Sequence, residues 1–175
     1  MEQEVELGNP RTGPLTGVRV ADFSAIFSGP IAGAMLADQG ADVIKVEAFS
    51  GDLMRKGYPQ SGGMASAFTS MNRNKRGLAV DLQKDEGKAI ARQLILSADV
   101  VLENFRPGVM DRLGLGYDTF RETHPKLVYA SINGVGSSGP YANRRVYDAV
   151  IQAISGFTAL RVDGKPEMVN SLVCD

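Results

Sequence analysis

The chain has 175 residues, a length typical of one domain that is large enough to bury a hydrophobic core. Its 43% hydrophobic and 22% charged residues are typical of a globular protein, and no apolar run approaches the roughly 20 residues that span a bilayer. A net charge of −1 argues against a generally basic nucleic-acid binder, and the single histidine and single cysteine argue against a multi-histidine metal site and an internal disulfide.

The first 16 residues differ in pattern from the rest of the chain. They are polar, contain Gly and Pro with little periodicity, and are predicted to be a loose leader before one domain over residues 17–175. They lack the apolar core of a secretory signal peptide, so we expect a cytoplasmic protein.

The predicted fold begins with a strand, a helix and a second strand. The run GVRVADF predicts a buried strand that starts near Val18, and ADVIKVE predicts the second strand. Between them a helix is expected over residues 28–40, because SGP at its start places a proline at the first helical position and Gly40 is a typical stop.

The next three segments have less uniform patterns. Residues 48–66 contain four glycines and no clear period, which predicts a surface loop. The run LAVDL over 78–82 predicts a short strand. Residues 83–98 have acids near their start and apolar residues on one face, which predicts an amphipathic helix.

The second half of the chain continues the alternation of strands and helices. Strands are expected at 99–105 and 126–134, and helical structure over parts of 108–124 and over 146–157. The last residues predict a turn at Asp163-Gly164 between two short extended pieces. This alternation predicts an α/β fold with a mainly parallel sheet and flanking helices.

The glycines at the start of the first helix raise the question of a dinucleotide site. Glu47 follows Gly29 by 18 residues, near the spacing at which an acid holds a ribose. The fingerprint itself fails, because Gly29 and Gly33 lack the close-approach glycine and Pro30 lies between them. The sequence therefore disfavours a dinucleotide and leaves a helix N-terminus that attracts some anion.

Cationic residues cluster in three places that flank predicted strand ends. The clusters lie at residues 73–76, 106–112 and 144–145. Each cluster alone is typical of a solvated surface. Together they favour a compact polyanion as ligand over a nucleic-acid backbone.

Five stretches occur in the order and approximate spacing of one known family. They are GVRVADFS…SGPIAGAMLADQGADVIKVE, NRNKRGLAVDL, VLENFRPGVMDRLGLGYD, LVYASINGVGSSGPYANRRVYD and the closing VCD. With these motifs, residues 16–175 resemble the class III coenzyme A transferase (CaiB/BaiF) family. Its members include formyl-CoA transferase, carnitine CoA-transferase and α-methylacyl-CoA racemase.

The resemblance implies the Rossmann-like N-terminal part of a longer enzyme. Family members continue with a second domain and a return to the first, and two subunits interlock as a homodimer. The 175 residues alone are therefore expected to be an incomplete coenzyme A-binding domain without activity of their own. Coenzyme A and acyl-CoA are expected as substrates rather than permanent cofactors, with carboxylic acids as partners and no nucleic acid, membrane or metal. Coenzyme A also fits the compact polyanion, since it carries a pyrophosphate and a 3′-phosphate.

The resemblance also implies roles for individual residues. Asp175 matches the nucleophile that attacks the thioester carbonyl and forms a covalent aspartyl intermediate. Lys75 and Arg112 are expected to contact phosphates, and the backbone amides of residues 24–28 to receive the oxyanion. The residues matched to coenzyme-binding positions are Ser24, Ala25, Ile26, Phe27, Ser28, Asn72, Asn74, Lys75, Asn104, Phe105, Arg112, Arg145 and Tyr147.

Two alternatives remain open besides coenzyme A transfer between carboxylic acids. An α-methylacyl-CoA racemase or isomerase is disfavoured, because that branch has His-Asp where this chain has Tyr147-Asp148, and a tyrosine with a pKa of about 10 is a poor base. The only histidine, His124, precedes a strand at the end opposite the expected site. The other alternative is a non-catalytic nucleotide-binding or scaffold fragment.

Overall fold

The computed structural model of the chain describes residues 12–57, 59–160 and 163–169, and only the backbone of residues 159 and 160. The helices are α1 Ser28–Asp38, α2 Ser66–Met71, α3 Asp85–Leu96, α4 Val109–Arg112, α5 Tyr117–Phe120 and α6 Asp148–Ser155. The strands are β1 Arg19–Asp22, β2 Asp42–Glu47, β3 Gln60–Ser61, β4 Met64–Ala65, β5 Arg76–Ala79, β6 Val100–Glu103, β7 Val128–Ser131, β8 Ala159–Leu160 and β9 Pro166–Glu167.

The central sheet has five parallel strands in the order β5-β2-β1-β6-β7. The chain builds outward from β1 in one direction through β2 and β5, and then in the other direction through β6 and β7. The order reverses between β1 and β6, and in open α/β sheets the crevice at the carboxyl ends of such strands is the usual ligand site. The predicted α/β fold with a mainly parallel sheet and flanking helices is confirmed.

The core lies on both faces of this sheet. Neighbouring residues of β1, Val20 and Ala21, belong to two different apolar clusters, as do Val101 and Leu102 of β6. This division follows from the two-residue period of strands, which sends successive side chains to opposite faces. One cluster packs against α3, α4 and α5, and the other packs against α1. No helix among the described residues is long and apolar enough to cross a membrane.

The segment after β2, predicted as an irregular loop over residues 48–66, contains regular structure. It forms a 3₁₀ turn at Leu53–Lys56, the β3–β4 hairpin and the start of α2. Gly62 and Gly63 have φ values of 59° and 77° and connect the two hairpin strands. Two glycines with positive φ are what a tight two-residue hairpin loop requires, and the periodicity of so short a hairpin is too brief to show in the sequence.

Other elements differ from prediction mainly in their bounds. The helical segment predicted within 108–124 is divided into α4 and α5, because Gly114 takes a φ of 69° that ends the first turn. The strand predicted at 78–82 begins earlier, at Arg76, where it pairs with β2. The predicted turn at Asp163-Gly164 lies between β8 and β9, which pair antiparallel. Asp175 lies outside the described residues, as do residues 1–11 of the predicted leader.

Candidate functional site

The loop after β1, residues 23–27, lies at the switch point of the sheet and is attached to the loop after β6. Asn104 makes two hydrogen bonds to one residue of it: Ala25 N–H donates to Asn104 Oδ1, and Asn104 Nδ2 donates to Ala25 O, both at 2.8 Å. Asn104 Nδ2 also donates to Ser28 Oγ at 3.2 Å. A side-chain amide that pairs with both backbone groups of a residue fixes that residue's position and orientation.

A buried ion pair between Asp22 and Lys75 holds the start of the same loop. Asp22, the last residue of β1, accepts from Lys75 Nζ at 2.8 Å, and their side chains are 0% and 1% exposed. The other oxygen of Asp22 accepts the backbone N–H of Ser24 at 2.9 Å and also its hydroxyl. The Lys75 ammonium donates in addition to Pro30 O at 2.8 Å and to Asn72 Oδ1 at 3.0 Å. Burial lowers the pKa of Lys75, and the charge of Asp22 only partly offsets that effect.

The two glycines that suggested a dinucleotide have a packing role next to this ion pair. A Cβ on Gly29 would lie 2.2 Å from Ser24 Cβ, and a Cβ on Gly33 would lie 2.7 Å from Asp22 Oδ2 and 2.9 Å from Lys75 Nζ. The glycines therefore let the first turns of α1 lie directly on the loop and on the ion pair.

A second buried ion pair holds the loop from the side of β2. Lys45 Nζ lies 3.0 Å from Asp52 Oδ2, with side chains 3% and 1% exposed, and donates to Ser24 O at 2.8 Å. The Asp52 carboxylate accepts Ile26 N–H at 3.3 and 3.4 Å. Ile26 has a φ of 70°, which is unusual for a β-branched residue and marks a constrained backbone.

These contacts leave few backbone amides of the loop available to a ligand. The N–H groups of Ser24, Ala25 and Ile26 donate to Asp22, Asn104 and Asp52 respectively. The N–H groups of Phe27 and Ser28 have no acceptor within the described part of the chain. Of the five amides expected to receive an oxyanion, the last two are the available donors.

A cavity of about 330 Å³ is lined by Phe27 and Ser28 and lies between the loops that follow β1, β6 and β7. Among the described residues, three arginines line it, Arg106, Arg144 and Arg145, and no Asp or Glu does. Within the part of the chain that the structure describes, these three guanidinium groups make no hydrogen bond or ion pair. Arg144 instead lies 5.8 Å from the ring centroid of Tyr141. A cavity to which the described residues bring three unpaired cations and no carboxylate is suited to a polyanion.

A second cavity, of about 320 Å³, is lined by Ser24 and Ala25 of the same loop. Its charged lining is different, with Lys45 beside the acids Glu47, Asp52 and Asp81. Phe105 lines both cavities and so lies between them. In residues 12–57, 59–160 and 163–169, no group of three or more His, Cys, Asp or Glu side chains is arranged to hold a metal ion.

The structure distributes the predicted site residues among several places. Those that line the arginine-rich cavity are Ile26, Phe27, Ser28, Asn104, Phe105, Arg145 and Tyr147. Ser24 and Ala25 line the second cavity. Lining neither cavity are Asn72, Asn74, Lys75 and Arg112. Asn74 donates to Asp38 at 2.8 Å, and Arg112 is an exposed residue at the end of α4. The predicted nucleophile Asp175 is outside the described residues.

Sequence reasoning did not single out every residue that forms the site. Arg106 and Arg144 belong to cationic clusters seen in the sequence, but only the adjacency of β6 and β7 places them at one cavity. Lys45 stands between the apolar residues Ile44 and Val46 of β2, which is the one sequence signal of its buried ion pair. Asp52 stands in the glycine-containing segment and carried no such signal.

Comparisons with known proteins agree on one family. Residues 15–175 match the CoA-transferase family III. The chain is 42% identical over 175 residues to the succinate–glutarate CoA-transferase of Agrobacterium fabrum, covering 94% of this chain and 44% of that protein. It is 42% identical over 146 residues to the formyl-CoA:oxalate CoA-transferase of Streptomyces avermitilis, covering 83% of this chain and 36% of that protein.

Solved structures give the same result. A CAIB/BAIF family protein from Brucella suis superposes with a TM-score of 0.86 at 39% identity, covering 92% of this chain and 44% of that one. A hypothetical protein from Mycobacterium tuberculosis superposes with a TM-score of 0.86 at 41% identity, covering 94% and 46%. The chain thus spans less than half the length of these relatives. The match over residues 15–175, together with the shared sheet, shows that the chain belongs to CoA-transferase family III, the class III coenzyme A transferases.

Proposed function

We propose that the protein transfers coenzyme A from an acyl-CoA to a carboxylic acid, and that the arginine-rich cavity at the switch point receives part of the coenzyme. The observation that carries this proposal is that Arg106, Arg144 and Arg145 line one cavity to which no described Asp or Glu contributes. The names of the relatives, which are transferases acting on CoA thioesters and dicarboxylic acids, support the same reaction class.

The coenzyme fits the charge of this cavity. Its pyrophosphate and 3′-phosphate carry several negative charges, and guanidinium groups bind phosphate oxygens through two parallel hydrogen bonds. Because the three arginines make no ion pair in the described part of the chain, a phosphate would not have to displace a carboxylate. Arg145 is thus a better placed phosphate ligand than Lys75, whose ammonium already has three internal acceptors.

The proposed chemistry uses Asp175 as the nucleophile. A carboxylate oxygen of Asp175 attacks the thioester carbonyl carbon, the C–S bond breaks, and coenzyme A leaves as a thiolate from a mixed anhydride. The thiolate then attacks the aspartyl carbonyl and releases the first carboxylic acid, which leaves an aspartyl thioester. The acceptor carboxylate repeats these two steps in reverse order, so that coenzyme A leaves on the acceptor and Asp175 is regenerated.

Each attack places negative charge on a carbonyl oxygen, and that charge needs hydrogen-bond donors. Phe27 and Ser28, at the start of α1, line the cavity, and their amides have no acceptor among the described residues. Preorganised backbone donors of this kind stabilise oxyanions, and the loss of one such donor typically costs about 10²–10³ in kcat. We therefore assign these two amides, rather than the whole of residues 24–28, to the oxyanion.

The domain organisation, location and assembly of the protein are also proposed. We infer that residues 17–175 form the coenzyme A-binding domain of a longer cytoplasmic enzyme that works as an interlocked homodimer. The share of the relatives that this chain covers, 44% for the Agrobacterium transferase, supports the longer enzyme. The cytoplasmic location and the interlocked homodimer are carried over from the sequence analysis. In that context the 175 residues alone bind coenzyme A but do not turn it over, and the acyl donor and acceptor are selected outside this segment.

Trapping the covalent intermediate tests the proposal. The full-length protein is incubated with an acyl-CoA and then with hydroxylamine, which converts an activated aspartyl group into a hydroxamate that peptide mass spectrometry locates. We expect the hydroxamate on Asp175 and its loss in Asp175→Ala. A label elsewhere, or normal turnover by Asp175→Ala, would contradict the proposed nucleophile.

The same protein can be examined for the racemase chemistry. A racemase exchanges the α-proton of a 2-methylacyl-CoA with solvent deuterium. We expect no such exchange, because the described site holds Tyr147 and no histidine. Exchange without coenzyme A transfer would replace the proposed function.

A further inference from the structure

Asp52 is a buried carboxylate beside the site that takes no part in the chemistry proposed above. It comes from the segment after β2, and its side chain is 1% exposed. Its two oxygens accept the N–H of Met54 at 2.9 Å and the N–H of Ile26 at 3.3 and 3.4 Å, and Oδ2 forms an ion pair with the ammonium of Lys45 at 3.0 Å. A carboxylate outside the loop thus contacts the loop at its most constrained residue.

Ile26 needs an external partner to keep its conformation. A β-branched residue with φ near +70° has its side chain close to its own backbone, and such geometry persists only where surrounding contacts impose it. Two neighbouring residues are already held, Ser24 by Asp22 and Ala25 by Asn104. The Asp52 carboxylate is the acceptor that holds the Ile26 amide.

Lys45 neutralises the charge of Asp52 and also contacts the loop at a second residue. The ammonium that balances Asp52 also donates to Ser24 O at 2.8 Å, so one ion pair holds the loop at residues 24 and 26. Because the pair is neutral as a whole, Asp52 does not place net negative charge beside the position where an oxyanion would form.

We propose that Asp52 is a positioning residue that holds Ile26 in the left-handed conformation and thereby places the next two amides, those of Phe27 and Ser28, at the arginine-rich cavity. The catalytic consequence rests on the proposed function, whereas the effect on the loop concerns the structure of this chain alone. Amide hydrogen exchange measures the effect on the loop, and turnover measures the catalytic consequence.

Amide hydrogen exchange of the 175-residue chain tests the effect on the loop. The Asp52 carboxylate offers two oxygens to the N–H groups of Met54 and Ile26 and to the ammonium of Lys45. In Asp52→Asn only one side-chain oxygen is left for these three groups. We expect the Ile26 amide to exchange about tenfold faster or more, while the Ala25 amide, held by Asn104, keeps its rate within about twofold. The matched control is Asp42→Asn, a carboxylate at the other end of β2 that pairs with Arg19 and Arg76 and should change neither rate.

Two exchange results would overturn the inference. Unchanged exchange at Ile26 would show that the carboxylate does not hold this amide. Equal acceleration at Ile26 and Ala25 would show general loosening of the fold rather than a local effect at residue 26.

Turnover of the full-length protein tests the catalytic consequence. We expect Asp52→Asn to lower kcat about tenfold or more and to leave the Kd for free coenzyme A within about twofold, because the affected amides act on the reacting carbonyl. Parental kcat in Asp52→Asn would contradict the positioning role. A parent protein that neither binds nor transfers coenzyme A would instead contradict the proposed function, and the exchange result at Ile26 would still be decisive for the loop.

A double variant keeps the inference testable if Asp52→Asn does not fold. Glycine adopts a φ near +70° without strain, so in an Ile26→Gly background the carboxylate has less to hold. We expect the Ile26→Gly/Asp52→Asn chain to fold and to keep its kcat within about threefold of that of Ile26→Gly alone. A kcat about tenfold or more below that of Ile26→Gly, or failure of the double variant to fold, would show that Asp52 does not act through residue 26.

Discussion

Three acceptors of the same chain surround the Lys75 ammonium: a carboxylate, a backbone carbonyl and a side-chain amide. The family resemblance predicts a phosphate contact for this residue, and that contact stays a prediction, since a phosphate could be bound only if one of these bonds were exchanged. In the described structure Lys75 neutralises Asp22, which itself anchors the loop after β1. Its sequence motif and its structural contacts thus indicate different roles.

The first prediction concerns the stability that depends on Lys75. Lys75→Ala leaves the Asp22 carboxylate buried without its cation, and we expect the free energy of unfolding to fall by about 3–5 kcal/mol. The control is Arg73→Ala, which removes an exposed ion pair with Asp38 and should cost only about 0–1 kcal/mol. Urea unfolding of the chain measures both changes. Similar values for the two variants would contradict the assignment of a buried, essential pair.

The second prediction concerns phosphate binding by arginine. Arg145→Ala should weaken the binding of coenzyme A by about 1.5–3 kcal/mol, the typical range for a hydrogen bond to a charged group. Arg121→Ala, which removes an exposed cation paired with Asp118, should not change it. Isothermal titration of each variant with coenzyme A and with dephospho-coenzyme A measures these affinities. The comparison of the two ligands shows whether Arg145 contacts the 3′-phosphate. Equal affinities in Arg145→Ala and Arg121→Ala would remove Arg145 from the site.

The third prediction comes from the resemblance alone: Arg112→Ala should weaken the binding of coenzyme A. The same titration tests it. Arg112 lines neither described cavity. A loss similar to that of Arg145→Ala would support the family match at this position. No loss would leave Arg112 as a surface charge of α4.

At the scale of elements, the segment between β2 and α2 is fastened to the sheet by one arginine. Arg55 donates from Nε and Nη2 to the two oxygens of Glu47 at 2.9 and 2.6 Å. Its guanidinium carbon also lies 4.0 Å from the ring centroid of Phe68 in α2. Glu47 Oε1 accepts the N–H of Asp52 at 2.9 Å as well. The acid that seemed placed for a ribose therefore secures the segment that carries Asp52.

The fourth prediction follows from the titration of Glu47. Burial raises its pKa, but the hydrogen bond and charge of Arg55 and the amide of Asp52 lower it more, so the folded-state pKa lies below the ordinary 4.5. A carboxylate whose pKa is lowered by folding stabilises the protein above about pH 4.5, and the contribution disappears as the pH falls through the folded-state value. We expect Glu47→Gln to cost about 1.5–3 kcal/mol at pH 7 and progressively less below pH 4.5.

Urea unfolding at several pH values checks this prediction, with Glu122→Gln as the control. Glu122 is exposed and should change the free energy of unfolding by less than about 0.5 kcal/mol at any pH. A cost of Glu47→Gln that does not depend on pH would contradict an ionic role for Glu47.

At the scale of the whole molecule, the parallel sheet is what assembles the site. All five strands run in one direction, so the loops after β1, β6 and β7 leave from the same edge. The reversal of strand order between β1 and β6 leaves a crevice there, which Asn104 spans from one loop to the other.

The fifth prediction concerns which nucleotide this edge binds. A ligand that binds only the folded protein stabilises it by about 2.7 kcal/mol at a hundredfold excess over its Kd. We expect coenzyme A to raise the Tm of the protein and NAD at the same concentration to leave it unchanged. The reason is that Gly29 and Gly33 allow α1 to pack against Ser24 and Asp22 and do not form a dinucleotide fingerprint. Differential scanning calorimetry measures both shifts. A rise with NAD alone would contradict the proposed ligand.

Local patterns in the sequence determined the fold class and most of the elements. The apolar runs and helix ends around β1, α1 and β2, and the amphipathic α3, are local features that depend on residues within one turn or one strand. The shared motifs also determined the family. The hairpin at residues 60–65 was missed because two-residue strands carry no measurable period.

Tertiary structure alone decided which charged residues meet. Lys45 and Asp52 are close in sequence, but Asp22 and Lys75 are 53 residues apart, and both pairs form only once the strands are aligned. The same alignment brings Arg106 to Arg144 and Arg145 and directs Lys75 inward instead of toward a ligand. Sequence spacing does not contain this information, because the neighbours of a side chain in a sheet are set by strand order and register, which depend on the packing of the whole chain.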